Sequence, residues 1–254
     1  MIVERGEGKA NAAQASRPNA ARHFPQIRKH STPAQHGTAK RFATHPHADH
    51  IGGMTQIIET YPIDTFYMPV LPAQDTPTTR TYENMLDSLD ARNVTVKQIS
   101  DETVIPAPEK ASFEVLSPYV GDEWNETNDY SAVVRFTYGD VSFMLTGDAE
   151  DPVEERILDT GADISSTVLK CGHHGSSSST TPDFLWAVNP DVAVISCAET
   201  NDYGHPHRET MASLREHGCR ILQTWDVGTI CIVTDGKEYD VNTWSVGEGL
   251  IPAA

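Results

Sequence analysis

From residue 42 onward, apolar and polar positions alternate in short units whose period changes from one unit to the next. Residues 79–92 place Tyr82, Met85, Leu86 and Leu89 three and four apart, the stripe of an amphipathic helix. Residues 51–60, 151–159, 183–188 and 208–217 are further helix candidates. Runs rich in Val, Ile and aromatic residues predict strands over 64–70, 94–99, 112–116, 167–170, 192–196, 220–225, 229–234 and 239–244. Two more runs, 131–137 and 141–145, flank Tyr138-Gly139-Asp140, a hairpin signal. The class is α/β. These strands exceed what one small parallel sheet needs, and two stacked sheets flanked by helices would hold them.

Residues 1–42 differ from the rest. They are rich in Ala, Gln, Asn, Arg, Lys and Pro, and neither period holds for long. The expected organisation is a poorly ordered leader over 1–42 and one domain over 43–254, since the leader's composition buries little apolar surface. With 254 residues, 38% of them hydrophobic, the chain can form one sizeable core.

Charge narrows the partners. Against 19 basic residues stand 36 acidic ones, for a formal net charge of -17. Such a field repels polyanions at long range and argues against bulk nucleic-acid or anionic-membrane binding, although a local metal site overrides it. No apolar run approaches the roughly 20 residues of a membrane helix. The first residues lack a secretory core, so a cytoplasmic location is the expectation. Cys171, Cys197, Cys219 and Cys231 form no Cys-x-x-Cys pair, which predicts free thiols, with disulfides only for an exported protein.

The histidines carry the chemistry. Three of the 11 fall within six positions, in Thr44-His45-Pro46-His47-Ala48-Asp49-His50, and none lies between His50 and His173. Imidazole and carboxylate are ligands of Zn, Mn and Fe. In an extended turn His45 and His47 point the same way, and Asp49 and His50 follow at the mouth of the next helix. That arrangement can divide four ligands between two neighbouring metals. The ordinary alternative is a solvated histidine cluster.

Three more stretches follow strand candidates. Leu145-Thr146-Gly147-Asp148 ends a strand in a carboxylate, either a turn Asp or a metal bridge. Leu169-Lys170-Cys171-Gly172-His173-His174-Gly175-Ser176 sets paired histidines between glycines, which permit close backbone approach. Asn201-Asp202-Tyr203-Gly204-His205-Pro206-His207 comes after a buried strand. In layered α/β folds, sites assemble at strand C-terminal ends.

Together these stretches resemble the metallo-β-lactamase superfamily over residues 43–235, and within it the hydrolase domain of ComEC-type competence proteins. The resemblance rests on THPHADHIGG at 44–53, NDYSAVV at 128–134, LTGDAE at 145–150, LKCGHHGS at 169–176 and NDYGHPH at 201–207. It implies an αββα sandwich with a metal site along one edge. By resemblance, His45 and His47 hold one divalent metal ion and Asp49 and His50 a second. Asp148 bridges the two, and His205 is the last ligand of the second ion. Zn is the first expectation and Mn the second. His173 and His174 face the substrate, one as proton donor, and His173 remains open as a ligand itself.

The implied reaction is hydrolysis by a metal-activated water, with Asp49 orienting it and two ions about 4 Å apart lowering its pKa. The substrates implied are phosphodiesters, DNA first. The net charge leaves a small ester, a lactone or a β-lactam as the alternative, and an inactive metal-binding module as a reading from another class. Two departures stand out. The superfamily supplies a further histidine between the first motif and the Gly-Asp strand. Here Asn128 or Ser131 falls in that region, which leaves the first metal fewer nitrogen ligands. The superfamily also opens with a strand pair carrying a Gly-rich turn and an Asp, and residues 1–42 show neither. An inner sheet without that pair has a bare edge, which favours a homodimer, aggregation or weak activity.

Overall fold

The computed structural model describes Ile2–Val3, residues 40–244 and Ile251–Pro252. The expected leader over 1–42 lies outside the described residues except at Ile2–Val3 and Lys40–Phe42. In chain order the first elements are β1 (Ile2–Val3), β2 (Lys40–Phe42), α1 (Ala48–Ile51), α2 (Met54–Thr60), β3 (Thr65–Met68) and α3 (Arg80–Ala91). There follow β4 (Thr95–Gln98), β5 (Ala111–Ser117), β6 (Val133–Tyr138), β7 (Val141–Leu145) and α4 (Asp151–Leu158). The remainder is β8 (Val168–Lys170), α5 (Pro182–Val188), β9 (Val192–Ile195), α6 (Arg208–His217), β10 (Arg220–Gln223), α7 (Thr224–Val227), β11 (Thr229–Thr234), β12 (Tyr239–Trp244) and β13 (Ile251–Pro252).

The central sheet has six strands in the order β10-β9-β8-β7-β6-β5. From β7 to β10 it is parallel, and β6 runs antiparallel to both of its neighbours, β5 and β7. Successive side chains on a strand face opposite sides, so each strand divides its apolar residues between two cores. Met144, Leu169, Ala193 and Ile195 pack with Val153 and Ile157 of α4, Phe184 and Leu185 of α5, and Leu214 of α6. Their neighbours Phe143, Val168, Val192 and Val194 pack with Ile230, Ile232 and Val241 of β11 and β12. Val115 and Val134 of the same face pack with Tyr67 of β3. Two smaller sheets, β1-β11-β12-β13 and the parallel β2-β3-β4, therefore cover one face side by side. Phe66 and Met68 of β3 bury their own outer side against Ile51, Ile58, Met85 and Leu89 of α1–α3. The result is four layers, helix, sheet, sheet, helix, as the resemblance implied.

Besides β1 and β2, which fall within the expected leader, two elements differ from the sequence expectation. The helix expected over 51–60 begins at Ala48 and breaks at Gly52-Gly53 into α1 and α2, because adjacent glycines carry the largest entropy cost in a helix. The strand expected over 220–225 stops at Gln223. There the buried Thr224 Oγ1 accepts from the Cys197 amide and donates to the Cys197 carbonyl, replacing a ladder pair and freeing the chain to turn into α7. All four cysteines are free thiols. No helix among the described residues is long and apolar enough to cross a membrane.

The parallel strands β7, β8 and β9 end on one edge. The carbonyl of Thr44, just beyond β2, accepts from the Ala132 amide at the start of β6. Since β6 is antiparallel to β7, this places residues 44–50 on that same edge.

Candidate metal centre

The first loop is held from within. His45 is fully buried. Its Nδ1 lies 3.3 Å from Thr44 Oγ1, which is also 3.4 Å from His50 Nδ1, so one hydroxyl orients two rings. His45 Nε2 and His47 Nδ1 lie 3.1 Å apart. The single turn of α1 then presents Asp49 and His50 to the same point.

Asp148 follows β7 through Gly147, whose φ is 57°. A Cβ at Gly147 would stand 2.8 Å from Thr44 Cβ and 3.1 Å from Ser131 Cβ, so the first loop and the Gly-Asp turn touch only because residue 147 has no side chain. Asp148 is buried, and its amide donates to Ser131 Oγ at 3.2 Å.

His173 and His174 both adopt left-handed backbone conformations, with φ 41° and 55°. Two consecutive non-glycine residues there carry strain, held by surrounding structure. Gly175 behind them faces Pro206, whose Cβ a side chain at 175 would meet at 2.7 Å. The distortion turns the two rings apart. His174 Nδ1 donates to the Ser196 carbonyl at 2.7 Å. That leaves Nε2 directed at Asp49 Oδ2 (3.1 Å), His50 Nε2 (3.2 Å) and Asp148 Oδ2 (3.4 Å). A backbone carbonyl on one ring nitrogen and a free second nitrogen is the usual posture of a metal-binding imidazole. His173 Nδ1 instead contacts Glu150 Oε1 at 2.7 Å.

Asp49, His50, Asp148 and His174 thus converge, with ligand atoms all within 4.8 Å of one another. His50 Nε2 is 3.1 Å from Asp148 Oδ2, and His45 Nε2 is 3.8 Å from it. The electrostatics demand positive charge at this point. Burial alone would raise the Asp148 pKa, but hydrogen bonds from His174 and His50 hold it well below the usual carboxylate range. The hydrogen bond with His174 brings Asp49 to about 2. On His174 the pull of burial is outweighed by the two carboxylates, which raise it to about 9. His45 is lowered to about 3, first by burial and then by the neighbouring His50. Asp148 Oδ1 is buried without a hydrogen-bond partner, an orphan acceptor that costs stability unless a cation meets it. Two carboxylates and two imidazoles converging beside it suit a divalent ion such as Zn or Mn.

The remaining expected residues are nearby. His205 is not among the four converging residues; its ring centroid lies 6.4 Å from that of His174 and 5.3 Å from that of His173. Burial, with His173 next in weight, lowers it to about 4. Asn128 Nδ2 donates to Glu150 Oε1 at 3.3 Å, and Ser131 serves the Asp148 amide, so neither directs a nitrogen at the centre. Two further residues, Glu150 and Asn201, support the site without being expected from the sequence. Glu150 takes contacts from His173, Asn128 and Ser178 Oγ. Asn201 accepts from the Tyr203 and His205 amides and donates to the Ala198 and His205 carbonyls. Both sit inside the strings that carried the resemblance, where a carboxylate two residues past Gly-Asp and an Asn opening a turn were the available signals.

A divalent-metal centre on the C-terminal edge of an αββα sandwich defines a class of metal-dependent hydrolases. The chain belongs to the metallo-beta-lactamase superfamily, whose family model matches residues 42–199, and its relatives put it in the ComEC-like competence branch. It is 31% identical over 190 residues to ComE operon protein 3 of Bacillus subtilis (strain 168), covering 74% of this chain and 23% of that protein. To competence protein ComA of Neisseria gonorrhoeae it is 36% identical over 113 residues, 44% of this chain and 16% of that one. To recombination protein 2 of Haemophilus influenzae it is 37% identical over 112 residues, 44% and 14%. The chain therefore spans less than a quarter of the length of these relatives.

Proposed function

We propose that this chain hydrolyses phosphodiesters, DNA being the first candidate, at a centre that holds divalent metal through Asp49, His50, Asp148 and His174. His45 and His47 form a second, poorer set that shares Asp148. Zn is the first candidate ion and Mn the second. His174 takes the ligand role that the resemblance assigned to His205. The observation that carries the reading is the pairing of this four-residue group with His173, whose Nδ1 is held by Glu150 at 2.7 Å. An alkoxide leaving group needs a proton in the transition state, and a positioned imidazole supplies one. Relatives named for competence and recombination agree with a nucleic-acid substrate.

When bound, divalent cations supply Lewis-acid polarisation of a phosphoryl oxygen and acidify water enough for attack near neutral pH. The protein's own groups do the rest. Asp49, whose side chain is 61% exposed, accepts a hydrogen bond from the attacking water and orients it. Glu150, 2.7 Å from His173 Nδ1, fixes that ring so that its Nε2 can protonate the departing oxygen. Ser196 fixes the His174 ring.

The formal charge of -17 favours a second reading, hydrolysis of a small ester, lactone or β-lactam, because long-range repulsion penalises a polyanion. Chelated and metal-reloaded protein assayed on plasmid DNA, a chromogenic phosphodiester, a lactone and a cephalosporin separates the two. Phosphodiester turnover that depends on reloading supports the proposal. Turnover of the lactone or cephalosporin alone supports the second reading. Two ions bound with no turnover of any ester indicates an inactive metal-binding module.

A further inference from the structure

The loop after β9 presents Tyr203 to solvent at 78% exposure, yet its backbone is pinned. Asn201 Oδ1 accepts from the Tyr203 amide at 3.2 Å and from the His205 amide at 2.9 Å, while Asn201 Nδ2 donates to the His205 carbonyl at 2.6 Å. His207 bridges two loops. Its Nδ1 accepts from the Ser177 amide at 2.9 Å and its Nε2 donates to the Tyr203 carbonyl at 3.1 Å. An exposed aromatic ring on a stapled loop keeps its face in water when a floppier loop would tuck it away.

The ring is also aligned. Tyr203 stacks on His205 with centroids 5.7 Å apart and planes 23° apart. His205 stacks on His174 at 6.4 Å and 19°. Two near-parallel ring contacts thus link His174 of the four-residue group, through His205, to the exposed Tyr203. A phosphodiester held at that group carries its sugar and base away from the reacting phosphorus, and a base directed toward this loop has the exposed face of Tyr203 to stack on.

We propose that Tyr203, backed by His205, is a stacking subsite for a nucleobase flanking the scissile phosphodiester. The inference rests on the phosphodiester reading of the centre and gives its substrate class a feature: at least one nucleoside next to the phosphate. Stacking of this kind accepts any base, because every base has a π face, and it places affinity in the uncharged part of the substrate. That suits a protein whose overall charge repels the backbone.

The test is calorimetric binding of a thymidine dinucleotide phosphorothioate, and of its analogue lacking both bases, to metal-loaded protein. Tyr203→Ala should weaken the dinucleotide Kd roughly 5- to 150-fold, while Tyr203→Phe stays within about twofold of the parent. The abasic analogue should bind the parent protein and Tyr203→Ala alike. Unchanged dinucleotide affinity in Tyr203→Ala overturns the subsite, as does an equal loss for the abasic analogue or no dinucleotide binding by the parent protein. Because binding is read without turnover, Tyr203-dependent binding without hydrolysis would leave the subsite standing and remove only the proposed activity. Hydrolysis indifferent to Tyr203 would do the reverse.

Discussion

The two sides of the proposed metal centre are unequally built. On one side Asp49, His50, Asp148 and His174 bring four ligand atoms within 4.8 Å of one another, and a backbone carbonyl orients the last of them. On the other, His45 and His47 bring two imidazole nitrogens to 3.1 Å, with the nearer Asp148 oxygen 3.8 Å from His45. By the resemblance, the poorer side is the one that lacks the superfamily's further histidine. Asn128 and Ser131, in the sequence region where it would fall, are turned to other tasks, one on Glu150 and the other on the Asp148 amide. Sharing a bridge does not make two sites equal, because affinity follows the number and kind of ligands each ion can gather.

The largest effect should come from the shared residue. Asp148→Ala should strip metal from both sides and reduce turnover to background, read by elemental analysis and rate on the same sample. Retained turnover would remove Asp148 from the centre. Next in size, His174→Ala and His47→Ala should differ. The first should cost the tighter ion roughly 100-fold or more in affinity, beyond the 10- to 100-fold typical of groups that merely orient ligands. The second should leave the tighter ion in place. Equal losses in the two variants would break the comparison.

Glu150→Gln should spare metal content and lower kcat about 10- to 100-fold on esters with alkyl leaving groups. On p-nitrophenyl esters it should change little, because p-nitrophenolate departs without a proton. The same loss on both substrate types would show that Glu150 acts on the fold rather than through His173.

The smallest effect contrasts Asp148 with a buried carboxylate that has no imidazole partner. Glu154 accepts from the Thr180 and Thr181 amides at 2.6 and 2.8 Å, yet burial outweighs them and raises its pKa from 4.5 to about 7. Between those values the folded state binds the extra proton, so the contribution of Glu154 to stability falls as pH rises from about 4.5 through about 7. Glu154→Gln removes that slope. Its melting temperature should gain on the parent as pH rises through that window, and a constant difference would contradict the assignment.

Much of this centre was legible in the sequence because its donors are local. A histidine cluster seven residues long and a Gly-Asp strand end need no long-range information. Two strands were legible to their ends, since the apolar runs 141–145 and 229–234 match β7 and β11 residue for residue. Less visible was which histidine of the later loops joins Asp49, His50 and Asp148. That depends on the left-handed backbone at His173 and His174 and on Gly175 packing against Pro206, neither of which has a period. Glu150 was hidden for a related reason: its partners His173 and Ser178 lie more than twenty residues along the chain. At 224–227 a side chain replaced a backbone ladder pair, and strand propensity carries no sign of that.

Metal titration of chelated protein tests the inequality most directly, with Mn or Zn followed by calorimetry and the ions placed by anomalous scattering. A first ion should settle among Asp49, His50, Asp148 and His174, filled well before a second, weaker one at His45 and His47. Two ions taken up with equal affinity, or a first ion seated on His45 and His47, would contradict that inequality.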